Sequence, residues 1–243
     1  ERYLRANRLP APKEWIDLAS PVYFDHAMIT APSRSGTTHL TIETILQGEG
    51  WDKGWSTIKF VTGNMRSITD RSFGVPDAVN SGQVGLGIVI DFFAFSAKAA
   101  GFPVKFVYPS VSTIVPASIA VVKGAPNMAA AKAFVEFTLS PEGQELLLDK
   151  AISRLPVNPS IYAMAPEGYP NPFKGSVGLP GFQFSVEVSG ARYRAVGALF
   201  DQTITFNHEP LKKAIKAIHD AEAALAKKDN PQGRVLLTEA RAL

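Results

Sequence analysis

The most constraining feature of the sequence is an unbroken apolar run over residues 84–90, which stops at Asp91. Such a run is typical of a strand that is buried on both faces, as in a parallel sheet covered by helices. Helical patterns are predicted on either side, over residues 76–80 and 92–100, and residues 104–108 are predicted as the next strand. Alternating strands and helices indicate an α/β layer architecture.

The same patterns extend the prediction along the rest of the chain. A short strand is expected over residues 23–30, a helix from about Ser35, and a further strand over residues 57–62. Residues 112–123 are predicted as a strand that passes between two lobes, and residues 156–185 as mostly irregular. Helices are predicted over residues 127–139, from Ser140 onward, and over 191–200, 210–228 and 232–243.

Composition excludes several classes of protein. The 243 residues include no cysteine, which excludes a disulfide scaffold, a thiolate zinc site and a cysteine nucleophile. The net charge of +3 is spread along the chain without a basic block, so no nucleic-acid partner is expected. No apolar run reaches the length of a membrane span. The chain begins at Glu1, and we expect that an export signal has already been removed.

Several segments in order resemble a known family. They are the Pro-Lys-Glu-Trp-Ile-Asp-Leu segment at 12–18, Ser-Gly-Thr-Thr at 35–38, Gly-Trp-Asp-Lys-Gly-Trp at 50–55, and the segments 84–91, 116–127 and 137–144. This series is similar to extracytoplasmic solute-binding proteins of ABC importers, in the branch that holds ferric-ion, phosphonate and phosphoglycerate binders.

The resemblance implies a type II periplasmic-binding fold, an α/β fold with two lobes around a ligand cleft. It assigns residues 1–24 to a leading segment from lobe one and residues 25–111 to lobe two, which binds an anion. Residues 112–243 become the crossing strand and the C-terminal helical part of lobe one, which is expected to be incomplete. The resemblance also implies a monomer in the periplasm without a cofactor, whose partner is an ABC permease or, alternatively, a sensor kinase.

The strongest local feature is the turn at Ser35, Gly36, Thr37 and Thr38, where a helix is predicted to start. Free amides and the helix dipole make such a position favourable for an anion, and the hydroxyls add donors. Members of the family hold a phosphate or another anion at the matching turn. The alternative is an ordinary N-cap, in which Ser35 serves only its own helix.

A second candidate site follows the strand predicted over residues 57–62. Ligands of open α/β sheets bind beyond the carboxyl ends of strands, which would bring Asn64 and Arg66 to the ligand. Asn64 could donate to phosphate oxygens, and the Arg66 guanidinium could clamp them with two bonds. The alternative is a solvated loop with a surface arginine.

Asp91 is the third candidate, because it ends the apolar strand directly before Phe92 and Phe93. It would suit a ligand ammonium or hydroxyl, or it would cap the following helix. Ferric-binding members carry two tyrosines at this junction, and phenylalanine has no oxygen for iron. A ferric-ion site is therefore disfavoured, and a phosphonate or organophosphate is the predicted ligand.

Most of the remaining polar residues are predicted to have structural or surface roles. His39 and Glu43 are predicted to form an exposed pair on one helix face, and two such residues do not make a metal site. The other histidines, His26, His208 and His219, are read as surface or core residues, whereas Tyr23 and Arg154 are placed near the cleft by the resemblance alone. An enzyme would need a base and a nucleophile near Ser35, where only His39 is available.

Overall fold

The computed structural model of the protein describes residues 1–174, 182–228, 235 and 237. Residues 1–174 and 182–228 hold nine α-helices, six short 3-10 helices, one π-helix and three strands. The strands are β1 (Ala27–Thr30), β2 (Met65–Thr69) and β3 (Leu86–Gly87). The helices are α1 (Arg2–Ala6), α2 (Gly36–Glu49), α3 (Trp51–Gly63), α4 (Gly74–Asn80), α5 (Asp91–Ala99), α6 (Met128–Leu139), α7 (Pro141–Glu145), α8 (Val186–Phe200) and α9 (His208–Lys228).

The strands form one parallel sheet in the order β2-β1-β3. All four residues of the central strand β1 are buried, which agrees with a strand covered by helices on both faces. In the register, Ala27 lies opposite Met65 of β2 and opposite Leu86 of β3. The α/β architecture is therefore confirmed, although the apolar run at 84–90 contributes only two residues of ladder.

The strand predicted over residues 57–62 is wrong, because these residues belong to helix α3. The β-branched content suggested a strand, but the buried residues Ile58, Val61 and Thr62 recur at helical spacing. The Thr62 hydroxyl donates to the Ile58 carbonyl at 2.7 Å, a local bond that lets threonine sit inside a helix. The strand lies directly afterwards, at Met65–Thr69.

Two other predicted strands are also wrong. Residues 104–108 and 112–123 form no strand, and neither segment joins the described sheet. The helices predicted at 35, 76–80, 92–100, 127–139, 140, 191–200 and 210–228 are confirmed within a few residues. The helix predicted over residues 232–243 lies outside the described residues, apart from the isolated positions 235 and 237.

The C-terminal helices pack on the unit that was assigned to lobe two. Val196 and Phe200 of α8 are fully buried against Ile42 and Ile45 of α2 in one apolar cluster. On α9, the His219 ring is 2.9 Å from the Asn64 amide oxygen. Helices α8 and α9 are therefore packed against α2 and against the start of β2. Helix α6, by contrast, has no buried residue.

The prediction of an exposed His39–Glu43 pair is wrong. His39 is only 2% exposed and Glu43 is 0% exposed, because α8 covers this face of α2. The Arg192 guanidinium of α8 makes a two-pronged ion pair with the Glu43 carboxylate, with both closest N–O distances at 2.8 Å. His39 Nε2 lies 3.1 Å from the Ser189 hydroxyl, and burial lowers the pKa of His39.

This ion pair gives a stability prediction. Arg192→Ala leaves the Glu43 carboxylate buried without its cation, and removing one partner of such a pair costs about 3 kcal/mol or more. We expect urea denaturation to show that loss in the free energy of unfolding. The matched control is Arg194→Ala on the exposed side of the same helix, which should stay close to the parent protein. Equal stability of the two variants would contradict the account.

Candidate functional site

The carboxyl ends of the three strands bring polar residues to one edge of the sheet. Strand β1 leads into the turn that holds Ser35, β2 leads into residues 70–73, and β3 leads to Asp91 at the start of α5. Because the strands are parallel, all three connections leave the sheet on the same side. This is the edge where open α/β sheets bind ligands, and we call it the carboxyl edge.

Ser35 is the N-cap of α2, as the N-cap interpretation of this turn predicted. Its side-chain oxygen accepts from the Thr38 amide at 3.2 Å and from the Ser72 hydroxyl at 2.7 Å. Ser72 belongs to the connection after β2, so this bond joins two of the three connections. With both bonds accepted by its oxygen, the Ser35 hydroxyl hydrogen is left to donate to a further group.

The amides beside Ser35 are open. Among the described residues, no acceptor is bonded to the backbone amides of Gly36 and Thr37, as is usual in a first helical turn. Gly36 is exposed, and a Cβ atom placed on it would meet no other atom within 4 Å. The turn therefore presents two free donors and open space to a ligand, whereas Thr38 lies buried behind them.

Positive charge near this turn comes from two arginines. Arg34 is paired with Asp70 at 3.0 Å, in an exposed ion pair between the connections after β1 and β2. Arg71 is exposed, and its guanidinium has no ion pair within the described part of the chain. Arg71 and Ser72 were missed by the sequence prediction, because the strand that precedes them was placed one element too early.

Asn64 and Arg66 are not brought to the carboxyl edge. They lie where β2 begins, so the argument that placed them after a strand is wrong. The Asn64 amide is buried and donates to the carbonyls of Leu18 and Ser20, both at 2.9 Å. The exposed Arg66 guanidinium donates to the Gln83 carbonyl at 3.1 Å. Both side chains serve the local structure at the opposite end of the strand.

Asp91 is the first residue of α5 and is half-buried. Its carboxylate accepts from the Phe92 amide at 2.8 Å and from the Tyr108 hydroxyl at 2.7 Å. Burial and this bond to a carboxylate raise the pKa of Tyr108. The observed role of Asp91 is thus to start the helix and to hold residue 108, while its remaining lone pairs are available to a ligand.

Two more tyrosines lie around Asp91. Burial raises the pKa of Tyr162 and of Tyr169 to about 12 in each case. Their hydroxyls donate to backbone carbonyls, that of Tyr162 to Pro156 and that of Tyr169 to Arg154. These bonds hold residues 154–169 together beside Asp91.

A metal cluster and a membrane-spanning helix are absent from the described residues. Within residues 1–174 and 182–228, no three histidine or carboxylate side chains gather where they could share a metal ion. No helix in these residues is both long and apolar enough to cross a membrane. A cavity of about 260 Å³ lies apart from Ser35, between β3, α5 and residues 104–109.

The comparisons with known proteins agree with this geometry. Residues 4–181 match the sequence model of the family described as bacterial extracellular solute-binding protein. The chain belongs to this family of solute-binding proteins.

Curated relatives support the same assignment. The phosphoglycerate transport regulatory protein PgtC of Salmonella typhimurium is 35% identical over 239 residues, which cover 97% of this chain and 57% of that protein. An uncharacterised protein of Haemophilus influenzae is 30% identical over 151 residues, which cover 60% of this chain and 42% of that protein. The chain thus spans little more than half the length of PgtC.

Two solved structures share the fold. The periplasmic binding protein AfuA of Actinobacillus pleuropneumoniae, solved with fructose 6-phosphate bound, has a TM-score of 0.68 and 26% identity. The match covers 82% of this chain and 63% of AfuA. The periplasmic binding protein P5PA has a TM-score of 0.66 and 23% identity over 84% of this chain and 64% of its own. The type II periplasmic-binding fold is confirmed.

The Asp91–Tyr108 bond gives a prediction about the site. Tyr108→Phe removes a hydrogen bond to a partly buried carboxylate, and we expect a loss of about 1 kcal/mol in the free energy of unfolding. Tyr193→Phe, at an exposed ring, is the control. Unchanged stability in Tyr108→Phe would show that this bond holds nothing in place.

Proposed function

We propose that this protein is the solute-binding component of an ABC importer and captures a small phosphorus-containing anion, a phosphonate or an organophosphate. The observation that carries the proposal is the pair of free amides at Gly36 and Thr37, beside the hydroxyls of Ser35 and Thr37. These donors sit at the positive end of a 14-residue helix, where a dianionic group is stabilised.

The names of two relatives support a phosphorylated ligand. PgtC is named for phosphoglycerate transport, and AfuA was solved with a sugar phosphate. The open face of Gly36 would let phosphate oxygens approach the backbone closely. Arg71 would add a charge-assisted contact, since it lies next to Ser72 and has no described partner in the protein.

Asp91 would select the other end of the ligand. A carboxylate near the anion site disfavours a second negative charge and accepts from a hydroxyl or an ammonium. Hydroxylated phosphate esters and aminoalkylphosphonates both carry such a group. Asn64 and Arg66 have no part in this arrangement, because they lie at the other end of β2.

The mechanism would be non-covalent capture. A ligand that binds a closed form more tightly shifts the population to that form, and an ABC permease of the inner membrane would recognise it. The family and the structural neighbours are binding proteins, so we propose a monomeric binder without a cofactor or catalytic step. A ferric-ion carrier is disfavoured by Phe92 and Phe93, whose rings offer no oxygen to iron.

A second candidate function is ligand sensing. PgtC is named as a transport regulatory protein, which favours a role in which the bound form signals to a membrane sensor kinase. The capture site would be the same in both cases, and only the partner would differ. Activation of a kinase in a strain that lacks the permease would favour sensing over transport.

The ligand proposal predicts a selective thermal shift. Compounds that bind only the folded state raise the melting temperature. We expect a rise with fructose 6-phosphate or 2-aminoethylphosphonate, and none with sulfate or ferric citrate. A panel in which no phosphorus compound raises the melting temperature would contradict the proposal.

A matched pair of glycine variants locates the site. Gly36→Ala places a methyl group in front of the free amides and should weaken binding roughly tenfold, about 1.4 kcal/mol. Gly190→Ala on α8 is the control, because a Cβ there also meets no atom within 4 Å. Neither variant should destabilise a helix, since alanine has the higher helix propensity. If calorimetry gives equal affinity for the two variants, the ligand does not bind at this turn.

A further inference from the structure

A solvent-exposed aromatic ring lies directly beside the free amides of α2. Phe73 is 65% exposed, the largest exposed fraction of any phenylalanine in the described residues. It follows Ser72, whose hydroxyl donates to the Ser35 oxygen at 2.7 Å. Single apolar residues are common on protein surfaces, so exposure alone assigns Phe73 no role. Its position next to the proposed anion donors is what calls for an explanation.

The backbone around Phe73 is held in an ordered turn. The Gly74 amide donates to the Arg71 carbonyl at 3.0 Å, and the Phe73 carbonyl accepts from the Asp77 amide at 3.2 Å. Val75 takes the buried position of this segment and is 0% exposed. The outward placement of the Phe73 ring therefore comes from a fixed turn at the start of α4.

The Phe73 ring is the first of three rings in contact. Its centroid is 5.2 Å from that of Phe93, with an angle of 70° between the ring planes. The centroid of Phe93 is 4.7 Å from that of Phe92. Aromatic rings attract one another at such distances, and an edge-to-face arrangement is one of the preferred geometries. We call Phe73, Phe93 and Phe92 the aromatic row.

The aromatic row joins the two polar ends of the proposed site. At one end, Phe73 is the chain neighbour of Ser72, which is bonded to Ser35. At the other end, Phe92 is the chain neighbour of Asp91, whose carboxylate accepts from the Phe92 amide at 2.8 Å. A ligand that extends from the free amides of α2 to Asp91 would therefore pass along these rings.

One ring of the row is already covered by a cation. The central guanidinium carbon of Arg154 lies 3.6 Å from the centroid of Phe92. The Tyr169 hydroxyl donates to the Arg154 carbonyl at 2.8 Å and helps to hold this segment in place. Because the guanidinium occupies one face of Phe92, Phe73 is the ring of the row with the most open surface.

We propose that Phe73 determines specificity, and that the ligand carries a ring between its phosphorus group and its polar end. The ligand ring stacks on Phe73 and removes apolar surface of both partners from water. The substrate class is then a small phosphorylated ring compound. An open-chain phosphonate leaves the aromatic row in water and binds more weakly. This inference rests on the proposed function, because it takes the anion to lie at the start of α2.

The test compares phenyl phosphate with methyl phosphate, which share the phosphate group and differ in the ring. The dissociation constant of each is measured by NMR titration of the ¹⁵N-labelled protein, read at the Gly36 amide. We expect phenyl phosphate to bind roughly tenfold more tightly than methyl phosphate to the parent protein. Phe73→Ala should lower that ratio to about two or less, whereas Phe73→Tyr keeps an aromatic ring and should preserve it.

Phe102→Ala is the matched control, because Phe102 is 41% exposed and follows the other end of α5. This variant should keep the ratio of the parent protein. Equal affinity of the parent for the two phosphates, or a ratio that survives Phe73→Ala, would overturn the inference and leave the anion site intact. If neither phosphate nor fructose 6-phosphate shifts the amides of Gly36 and Thr37, the proposed function fails and this inference fails with it.

Discussion

The parallel pairing of β1 with β2 and β3 is the constraint on which the rest of the structure depends. It places three connections at one edge of a sheet, and each connection delivers a different kind of group. The connection after β1 supplies free amides and hydroxyls, the one after β2 supplies Ser72 and Arg71, and the one after β3 supplies Asp91. The site that we propose, for an anion with a polar tail, would depend on the direction of the strands more than on any single residue.

The carboxyl edge is held in place by groups that do not themselves face a ligand. Helix α2, which presents the free amides, is fixed to α8 by the buried pair of Glu43 and Arg192. The Ser72–Ser35 bond fixes the N-cap to the neighbouring connection. Pre-ordering of donors in this way lowers the entropy cost of binding, since little has to be immobilised when the anion arrives.

Sequence patterns predicted the elements whose signals are local. Three local patterns each predicted an element that is present: the N-cap at Ser35, the helix start at Ser140 and the apolar run at 84–90. Helix caps and burial on both faces can be recognised from adjacent residues. The strand predicted at 57–62 was wrong because β-branched residues also fit a buried helix face. Because of this error, the second candidate site was placed at Asn64 and Arg66. The burial of His39 and Glu43 depends on Arg192, which lies 149 residues away from Glu43 and leaves no local signal. Residues 104–108 have the sequence pattern of a strand but form none in the structure, because a strand also needs a paired neighbour.

The central claim is that an anionic ligand is held by the start of α2, and amide chemical shifts measure this most directly. In an NMR titration of the ¹⁵N-labelled protein with fructose 6-phosphate, the amides of Gly36 and Thr37 should show the largest shifts. The direction should be downfield, as for amides that donate to a phosphate oxygen. Shifts centred on Asn64 and Arg66, or no shift at Gly36 and Thr37 when the ligand is in excess, would contradict the account.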